Sequence, residues 1–443
     1  MGKINIVVEP PGPRAQKIIE RDKKVLMQSY VRWLPLVIRY GEGSVVEDVD
    51  GNRYIDLNAG IAVLSTGHRN PIVIEAIKKQ LDRFLHYSLT DFYYEEAVAL
   101  AEKLIDIMPG DKVFFTNSGA ESIEGAIKIA RGYYKGKRPY IVSFIGSFHG
   151  RTMGAMSLTA SKTIHRKYFS PLMPGVIHVP YPYCFRCVFN LKYPDCALAC
   201  LDFIDKWIFR KVVSPDEVAA IFIEPIQGEG GYVPAPREFM RELRELTYEH
   251  GILLVADEVQ CGMGRTGKWL AVQNYKINPD IITLAKGIAS GLPLGAIVGR
   301  EDVMSLEPGA HANTFGGNPI SIAASLATID LLENSLLENA AIQGEYLLGK
   351  LSRLMERYDY IGDVRGLGLM IGMELVRSKK NKEPAKDILN KVIEGAFKRG
   401  VLVIGAGEST IRFSPPLNIT REEIDEALNI LEEVIEEAIK ISF

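Results

Sequence analysis

Two residues of this 443-residue chain stand where reactive groups are most readily assembled, Asp257 and Lys286. The apolar run Ile252-Leu253-Leu254-Val255-Ala256 leads into Asp257, and Ile281-Ile282-Thr283-Leu284-Ala285 leads into Lys286. Each run reads as a buried strand. A carboxylate and an amine therefore emerge at the carboxyl ends of strands, where open α/β sheets form their ligand crevices. A lysine desolvated there loses its proton and can attack an aldehyde cofactor, and the carboxylate suits a cationic ring nitrogen. The stretch continues D-E-V-Q-C-G-M-G-R-T-G from 257 to 267 and closes T-L-A-K-G from 283 to 287.

Other motifs bring complementary groups. T-N-S-G-A-E-S at 116–122 joins a strand to a helix, with Ser118 and Glu121 in capping-box positions. It reads either as a well-capped helix or as a phosphate cradle, in which Ser118, Gly119 and Ala120 offer backbone N–H groups at a positive helix end. In S-F-H-G-R-T at 147–152, Phe148 is core filler or a stacking ring, and Arg151 suits a carboxylate. His149 there is a base or, more simply, a structural residue. I-E-P-I-Q-G-E-G-G at 223–231 carries Glu224 and Glu229. Paired carboxylates also serve glycoside hydrolysis, but the lysine and the phosphate features argue against it. Thr314 in N-T-F-G-G-N-P is a turn residue or a second phosphate contact, and Arg412, alone in the apolar run I-R-F-S-P-P-L, requires a partner. Cys184, Cys187, Cys196 and Cys200 cluster at spacings that fit a tetrahedral metal site, two disulfides or free thiols, and these readings stay open. Cys261 reads as a packing residue.

The elements that must position these groups follow from periodicity. Strand-like runs at 112–116, 140–144, 176–179, 218–223, 251–255, 280–284 and 295–298 alternate with helical ones. That alternation predicts a mostly parallel seven-stranded sheet with helices on both faces. Amphipathic helices are expected over 71–85, with Ile74, Ile77, Leu81 and Leu85 on one stripe, and over 94–107. Long helices near 320–333 and 340–358 precede a small α+β region with strand-like runs at 364–375 and 401–404 and a helix over 386–399. Its last helix opens with a Thr420/Glu423 capping box and carries Ile424, Leu428, Leu431, Ile435 and Ile439 on one face. At the other end, residues 45–57 read as a hairpin turning at Asp50-Gly51-Asn52. Before it, Pro10-Pro11-Gly12-Pro13 breaks the chain and a helix is expected over 15–27, an arm suited to contact with a partner subunit. The expected division is 1–65 for arm and hairpin, packing with the small domain or a partner subunit, 66–337 for the large domain and 338–443 for the small one.

With 47% hydrophobic residues the chain can bury a large core, and its formal net charge of −3 argues against nucleic-acid or anionic-membrane partners. No apolar run looks long enough to span a bilayer, and the N-terminus lacks a secretory pattern. A soluble, cytoplasmic protein is expected.

Taken in this order, the motifs resemble those of the class III (ω-) aminotransferases, pyridoxal-phosphate enzymes of fold type I, from about Gly41 to the C-terminus. The resemblance implies pyridoxal 5'-phosphate held covalently by Lys286, which then moves the substrate proton. It implies that Asp257 keeps the pyridine nitrogen protonated, that Gln260 bonds the ring's phenolic oxygen and that Phe148 stacks on its face. Ser118, Gly119 and Ala120 would cradle the phosphate, Thr314 would complete the cradle from the other subunit of a homodimer, and Glu224 would organise the site from behind. For substrate, Arg412 would clamp the α-carboxylate of glutamate or 2-oxoglutarate, Glu229 would neutralise Arg412 when an ω-amine is bound, and Arg151 would hold a distal carboxylate. Asp91, in Y-S-L-T-D-F at 87–92, would read a distal ammonium or else cap the helix expected from Tyr94. The implied activity is amino transfer from a 4-aminobutyrate- or ornithine-type donor to 2-oxoglutarate, with no metal in the chemistry. The rival is an amino-acid racemase or epimerase on the same fold, for which a second proton carrier across the ring is needed.

Overall fold

A computed structural model describes residues 2–440 of the chain; Met1 and residues 441–443 lie outside the described residues. The chain enters through three antiparallel strands, β1 (Ile38–Glu42), β2 (Val45–Asp48) and β3 (Arg53–Asp56). The turn between β2 and β3 falls on Gly51, whose φ of +96° favours glycine. The preceding arm lies against its own chain. Lys3 and Ile4 donate backbone N–H groups to Glu426, Val7 and Val8 to Asn52, and Arg14 and Ala15 to Asp50. Its helix is Pro13–Val25, starting earlier than the apolar pattern suggests because proline is preorganised for a first turn.

The large sheet takes every one of the seven expected runs. Its strands are β4 (Lys112–Thr116), β5 (Tyr140–Phe144), β6 (Val176–Val179) and β7 (Val218–Ile223). After a short pair, β8 (Ile226–Gln227) and β9 (Val233–Pro234), come β10 (Leu253–Asp257), β11 (Ile281–Leu284) and β12 (Gly295–Gly299). The order is β4-β12-β11-β10-β7-β5-β6, with β12 antiparallel to both neighbours. Side chains alternate between two cores. Leu254 and Ala256 join Ile221 and Ile282 on one face, while Leu253 and Val255 join Phe222 and Ile281 on the other. The helix Gly119–Tyr133 covers the second face with Ile123, Ile127 and Ala130, and Arg237–Glu249 covers the first with Phe239, Met240 and Leu243. Burial on both faces is why these strands read as unbroken apolar runs.

Two expectations fail here. The helix expected over 71–85 stops at Leu81 and buries Val73 and Gln80, while Leu81 and Leu85 stay 47% and 59% exposed. The Gln80 side chain donates to the Phe84 carbonyl, and the helix packs on Ala324 and Ala327 through Val73, with Ala76 and Ile77 beside it. The buried stripe is thus one residue out of phase with the strongest apolar pattern. Second, the helices Pro319–Leu331 and Leu337–Arg357 join through Leu332–Leu336 into a 39-residue helical run that is long and apolar enough to cross a membrane by composition. Here Ile322, Ile329, Leu332, Leu347 and Leu351 are packed in the main core, so the apolar content is that of a core helix.

The small region holds β13 (Ile361–Leu367), β14 (Met370–Leu375), β15 (Val401–Leu402), β16 (Ile404–Ala406) and β17 (Thr410–Phe413). The run expected as one strand over 364–375 is a hairpin, turning at Gly368 with φ +53°. β13, β14, β17 and β16 form one sheet, while β15 pairs in parallel with β3 and ties the chain's beginning to its end. The final helix, Arg421–Lys440, has its capping box: Glu423 accepts from the Thr420 N–H at 2.9 Å, and Thr420 Oγ1 accepts from the Glu423 N–H at 3.3 Å. One apolar core runs continuously from Leu254 and Leu284 to Phe413 and Leu431, so the large and small regions pack on each other.

Candidate active site

Strands β10 and β11 are parallel neighbours, with Asp257 registered against Thr283, so Asp257 and Lys286 leave the same edge of the sheet side by side. The loops after β4, β5 and β7 reach that edge too and bring Ser118, Phe148 and Glu224. Together they line a cavity of about 450 Å³ whose wall includes Gly119, Ala120, Asp257, Gln260 and Lys286.

Each group in this wall is held for a reason. Ser118 caps its helix by accepting from the Glu121 N–H at 3.2 Å. The Glu121 carboxylate does not return to Ser118, as a full capping box would require; it accepts from the Asn117 N–H and amide, both at 2.8 Å. The N–H groups of Gly119 and Ala120 sit in the first turn, beyond the reach of any intrahelical carbonyl. Both residues line the cavity at a positive helix end, which suits phosphate. Gly150 lets the next loop come close: its φ is +139°, and a Cβ there would lie 2.8 Å from the Ala120 Cβ.

Asp257 is 4% exposed, and its carboxylate is fully organised. Oδ1 accepts from the Val259 N–H at 3.0 Å, and Oδ2 meets Nδ1 of His149 at 2.7 Å. Burial would lower the His149 pKa, but the bond to Asp257 and the charges of Asp257 and Glu224 outweigh it and raise it. This pairing is what the sequence reading missed. His149 is no free loop base; it holds the carboxylate, and only the fold brings together residues 108 positions apart. Glu224 accepts from the Phe148 N–H at 2.8 Å and the Gly228 N–H at 2.9 Å, tying two loops together, and burial holds it above the usual carboxylate range.

Lys286 is backbone-strained at φ +50°, a conformation unfavourable for a residue with a Cβ. Burial lowers its pKa to about 8, with the Arg412 charge adding to the effect and Asp257, Glu229 and Glu224 opposing it. The amine is thus neutral far more often than an exposed lysine near neutral pH.

The cavity's polar atoms fit pyridoxal phosphate. A buried carboxylate can face a ring nitrogen, a helix end can take a phosphate, Phe148 presents a flat face, and Lys286 presents an amine. Gln260 Oε1 and His149 Nε2 are buried with no partner among the described residues, so polar capacity is left at the site.

Glu229 and Arg412 meet beside this cavity, Arg412 Nη1 donating to Glu229 Oε1 at 2.9 Å. Arg412 lies 2% exposed on β17, and its Nε has no partner among the described residues. Lys162 stands 3.6 Å from Glu229 Oε2, a second cation that sequence reading did not find. Burial alone would raise the Glu229 pKa, but the Arg412 and Lys162 charges lower it. Arg151 lines the cavity and lies over the Phe148 ring at 5.5 Å.

Thr314 and Asp91 are not brought to this cavity. Both are exposed, on two loops joined by the bond from Thr90 Oγ1 to the Asn313 carbonyl at 2.8 Å. Asp91 is not a helix cap either: its N–H bonds to Ser88 in a turn, and the helix Glu95–Ile107 is preceded by Tyr94. The four clustered cysteines are free thiols in the structure, and Cys261 is 1% exposed in a small core with Ile226 and Tyr232, as a packing residue should be.

Comparison with known proteins agrees with this geometry. Residues 26–435 match the family described as aminotransferase class-III. An alanine/serine racemase of Pyrococcus horikoshii is 42% identical over 98% of this chain and 93% of its own length. An acetylornithine aminotransferase of Caldanaerobacter subterraneus subsp. tengcongensis is 41% identical over 95% of this chain and 99% of its own. Among solved structures, a PLP-bound amine transaminase from an uncultivated Pseudomonas species superimposes with a TM-score of 0.87, at 32% identity, covering 94% of this chain and 98% of that one. The fold, the buried lysine at the sheet edge and these matches make the protein a pyridoxal-phosphate enzyme, and the chain belongs to the class III aminotransferase family.

Proposed function

We propose that the enzyme transfers an amino group from an ω-amino donor of the 4-aminobutyrate or ornithine type to 2-oxoglutarate in two half-reactions through one pocket. The observation that carries this reading is the part-buried Glu229–Arg412 pair. Two substrates with different ends must use the same cavity in turn. Arg412 bonded to Glu229 presents a neutralised wall to an ω-amine, and Arg412 released from it offers a two-pronged donor to an α-carboxylate.

The residues' parts follow from their placement. Bound pyridoxal phosphate supplies an electron sink for a carbanion at the substrate carbon. Gly119, Ala120 and Ser118 hold its phosphate, Thr314 of a second copy closing the cradle. Asp257, itself held by His149, keeps a proton on the pyridine nitrogen. Gln260 holds the phenolic oxygen, Phe148 the ring face, and Glu224 the two loops behind it. Lys286 would anchor the cofactor's aldehyde and would carry the proton away from the substrate carbon and back to the cofactor, for which a base with a pKa near 8 is well matched. Arg151 meets a distal carboxylate, and Asp91 from the partner's loop a distal ammonium. The exposed rings of Phe92, Tyr93 and Phe315 near Asp91 and Thr314 support burial of that surface in a homodimer. The division near residues 66 and 338 and a cytoplasmic location belong to the same reading.

A second reading, racemisation or epimerisation of an amino acid, is favoured by the 42% identity to an alanine/serine racemase. One experiment separates the two. The enzyme is incubated with pyridoxal phosphate and a panel of amino acids, with and without 2-oxoglutarate, while glutamate and the enantiomer ratio are followed together. Glutamate formation with an ω-amino donor supports transfer; inversion without glutamate establishes the racemase.

A further inference from the structure

Residues 181–200 form a strap outside the catalytic wall, bolted to both regions of the molecule. At one end the Tyr181 hydroxyl, with one proton to donate, lies within hydrogen-bond distance of the carbonyls of Glu224, Pro225 and Val233, in the loops behind the active site. Further on, Tyr183 OH and Arg186 Nε both reach Glu374, which is 1% exposed on β14 and also meets Arg365 at 2.8 Å. β14 pairs directly with β17 at Gly372 and Arg412.

Within this strap Cys184, Cys187, Cys196 and Cys200 line one cavity of about 20 Å³, together with Val188, Phe189 and other apolar or aromatic side chains. That volume suits a single small atom or ion. A water would need two or more polar partners there, and the three tyrosines of the wall have spent their hydroxyls elsewhere: Tyr181 on backbone carbonyls, Tyr183 on Glu374 and Tyr193 on Glu238. Among the side chains the wall keeps four sulfurs, ligands matched to a soft or borderline cation. The spacing, C-x2-C followed by C-x3-C, is that of tetrahedral thiolate sites.

We propose that these four cysteines bind one thiophilic divalent cation, zinc, as a structural clasp on the strap. In their present rotamers the thiols do not form a ready ligand set, nor does any other group of three His, Cys, Asp or Glu among the described residues. Binding therefore draws them in by side-chain rotation; Cys184 and Cys187 sit on and just after a short 3-10 turn, Cys196 in a turn and Cys200 at a helix start. On coordination each thiol gives its proton to solvent and no electron moves, so zinc is the only co-reactant. Two disulfides are the competing chemistry; all four thiols are free in the structure, and a peptide mass map separates the two outcomes.

The test is the metal content of the full-length enzyme, produced in zinc-supplemented medium and purified with pyridoxal phosphate and without chelator. One zinc per chain is expected, with four sulfur ligands by X-ray absorption and thiols that react with a disulfide reagent only after chelation. Cys184→Ser and Cys200→Ser should each bring the zinc close to zero while the cofactor's absorbance band is kept. Metal-free protein whose four thiols titrate at once overturns the proposal, as do disulfides in a peptide mass map or iron accompanied by acid-labile sulfide. Should the serine variants fail to fold, the wild-type metal content and ligand set decide alone.

Discussion

Asp257 and Lys286 leave neighbouring strands of one sheet, whereas Glu229, in the turn between β8 and β9, meets Arg412 on β17 across 183 positions of the chain. The first pair is placed by a ladder of backbone hydrogen bonds, and its geometry is as rigid as the sheet. The second spans a loop of the large region and a strand of the small one, so its distance depends on how the two regions pack. This suggests a division of labour. Under the proposed function, the sheet edge would hold the groups that every substrate needs, and the contact between regions the groups that change partners between substrates.

Removing either member tests that division. Lys286→Ala should cut turnover by at least ~10³-fold, within the roughly 10²–10⁴-fold range for loss of a positioned proton carrier, and abolish the visible band of the bound cofactor. A surviving band would mean that another residue anchors the aldehyde. Arg412→Ala should raise KM for 2-oxoglutarate roughly 10- to 100-fold, the equivalent of about 1.5–3 kcal/mol for a charge-assisted bond, and leave cofactor attachment unchanged. An equal loss with the amino donor would deny the pair its switching role.

Smaller effects sharpen the same contrast. His149→Gln keeps a donor near Asp257 without the positive charge, and kcat should fall about tenfold in both half-reactions alike, because the ring nitrogen serves both. A loss confined to one half-reaction would move His149 to the substrate side. The pH dependence of cofactor loading tests Lys286. Its pKa is lowered to about 8 and the neutral amine is the nucleophile, so the loading rate of apoenzyme should rise ~10-fold from pH 7 and level off above about pH 9. A rate still climbing at pH 10 would indicate an ordinary exposed lysine. Lys162→Ala should change KM for the amino donor by no more than about fivefold, since its side chain is 34% exposed and such pairs contribute about 0–1 kcal/mol.

Much of the sheet edge was legible from residue order alone. Strands buried on both faces leave unbroken apolar runs, and the residue after each run is placed at the edge by the strand itself. Ser118, Phe148, Glu224, Asp257 and Lys286 were found in this way. The helix at Pro71–Leu81 was misread at its end because a partly exposed helix shows apolar residues on more than one face, and the phase of burial depends on its neighbours. His149 and Lys162 carried no local signal, being single residues in loops whose partners lie far along the chain.

What the residues alone determined is therefore the set of strands, the groups at their ends and the family to which their order belongs. These follow from local hydrophobicity and from motifs short enough to act within one loop. Only the tertiary structure decided that His149 organises Asp257, that Lys162 shares Glu229 with Arg412, that Thr314 and Asp91 lie together outside this chain's own cavity, and that four cysteines surround one small cavity. Each of these is an encounter between distant segments, and the free energy that brings them together comes from burying a common core rather than from the residues that meet.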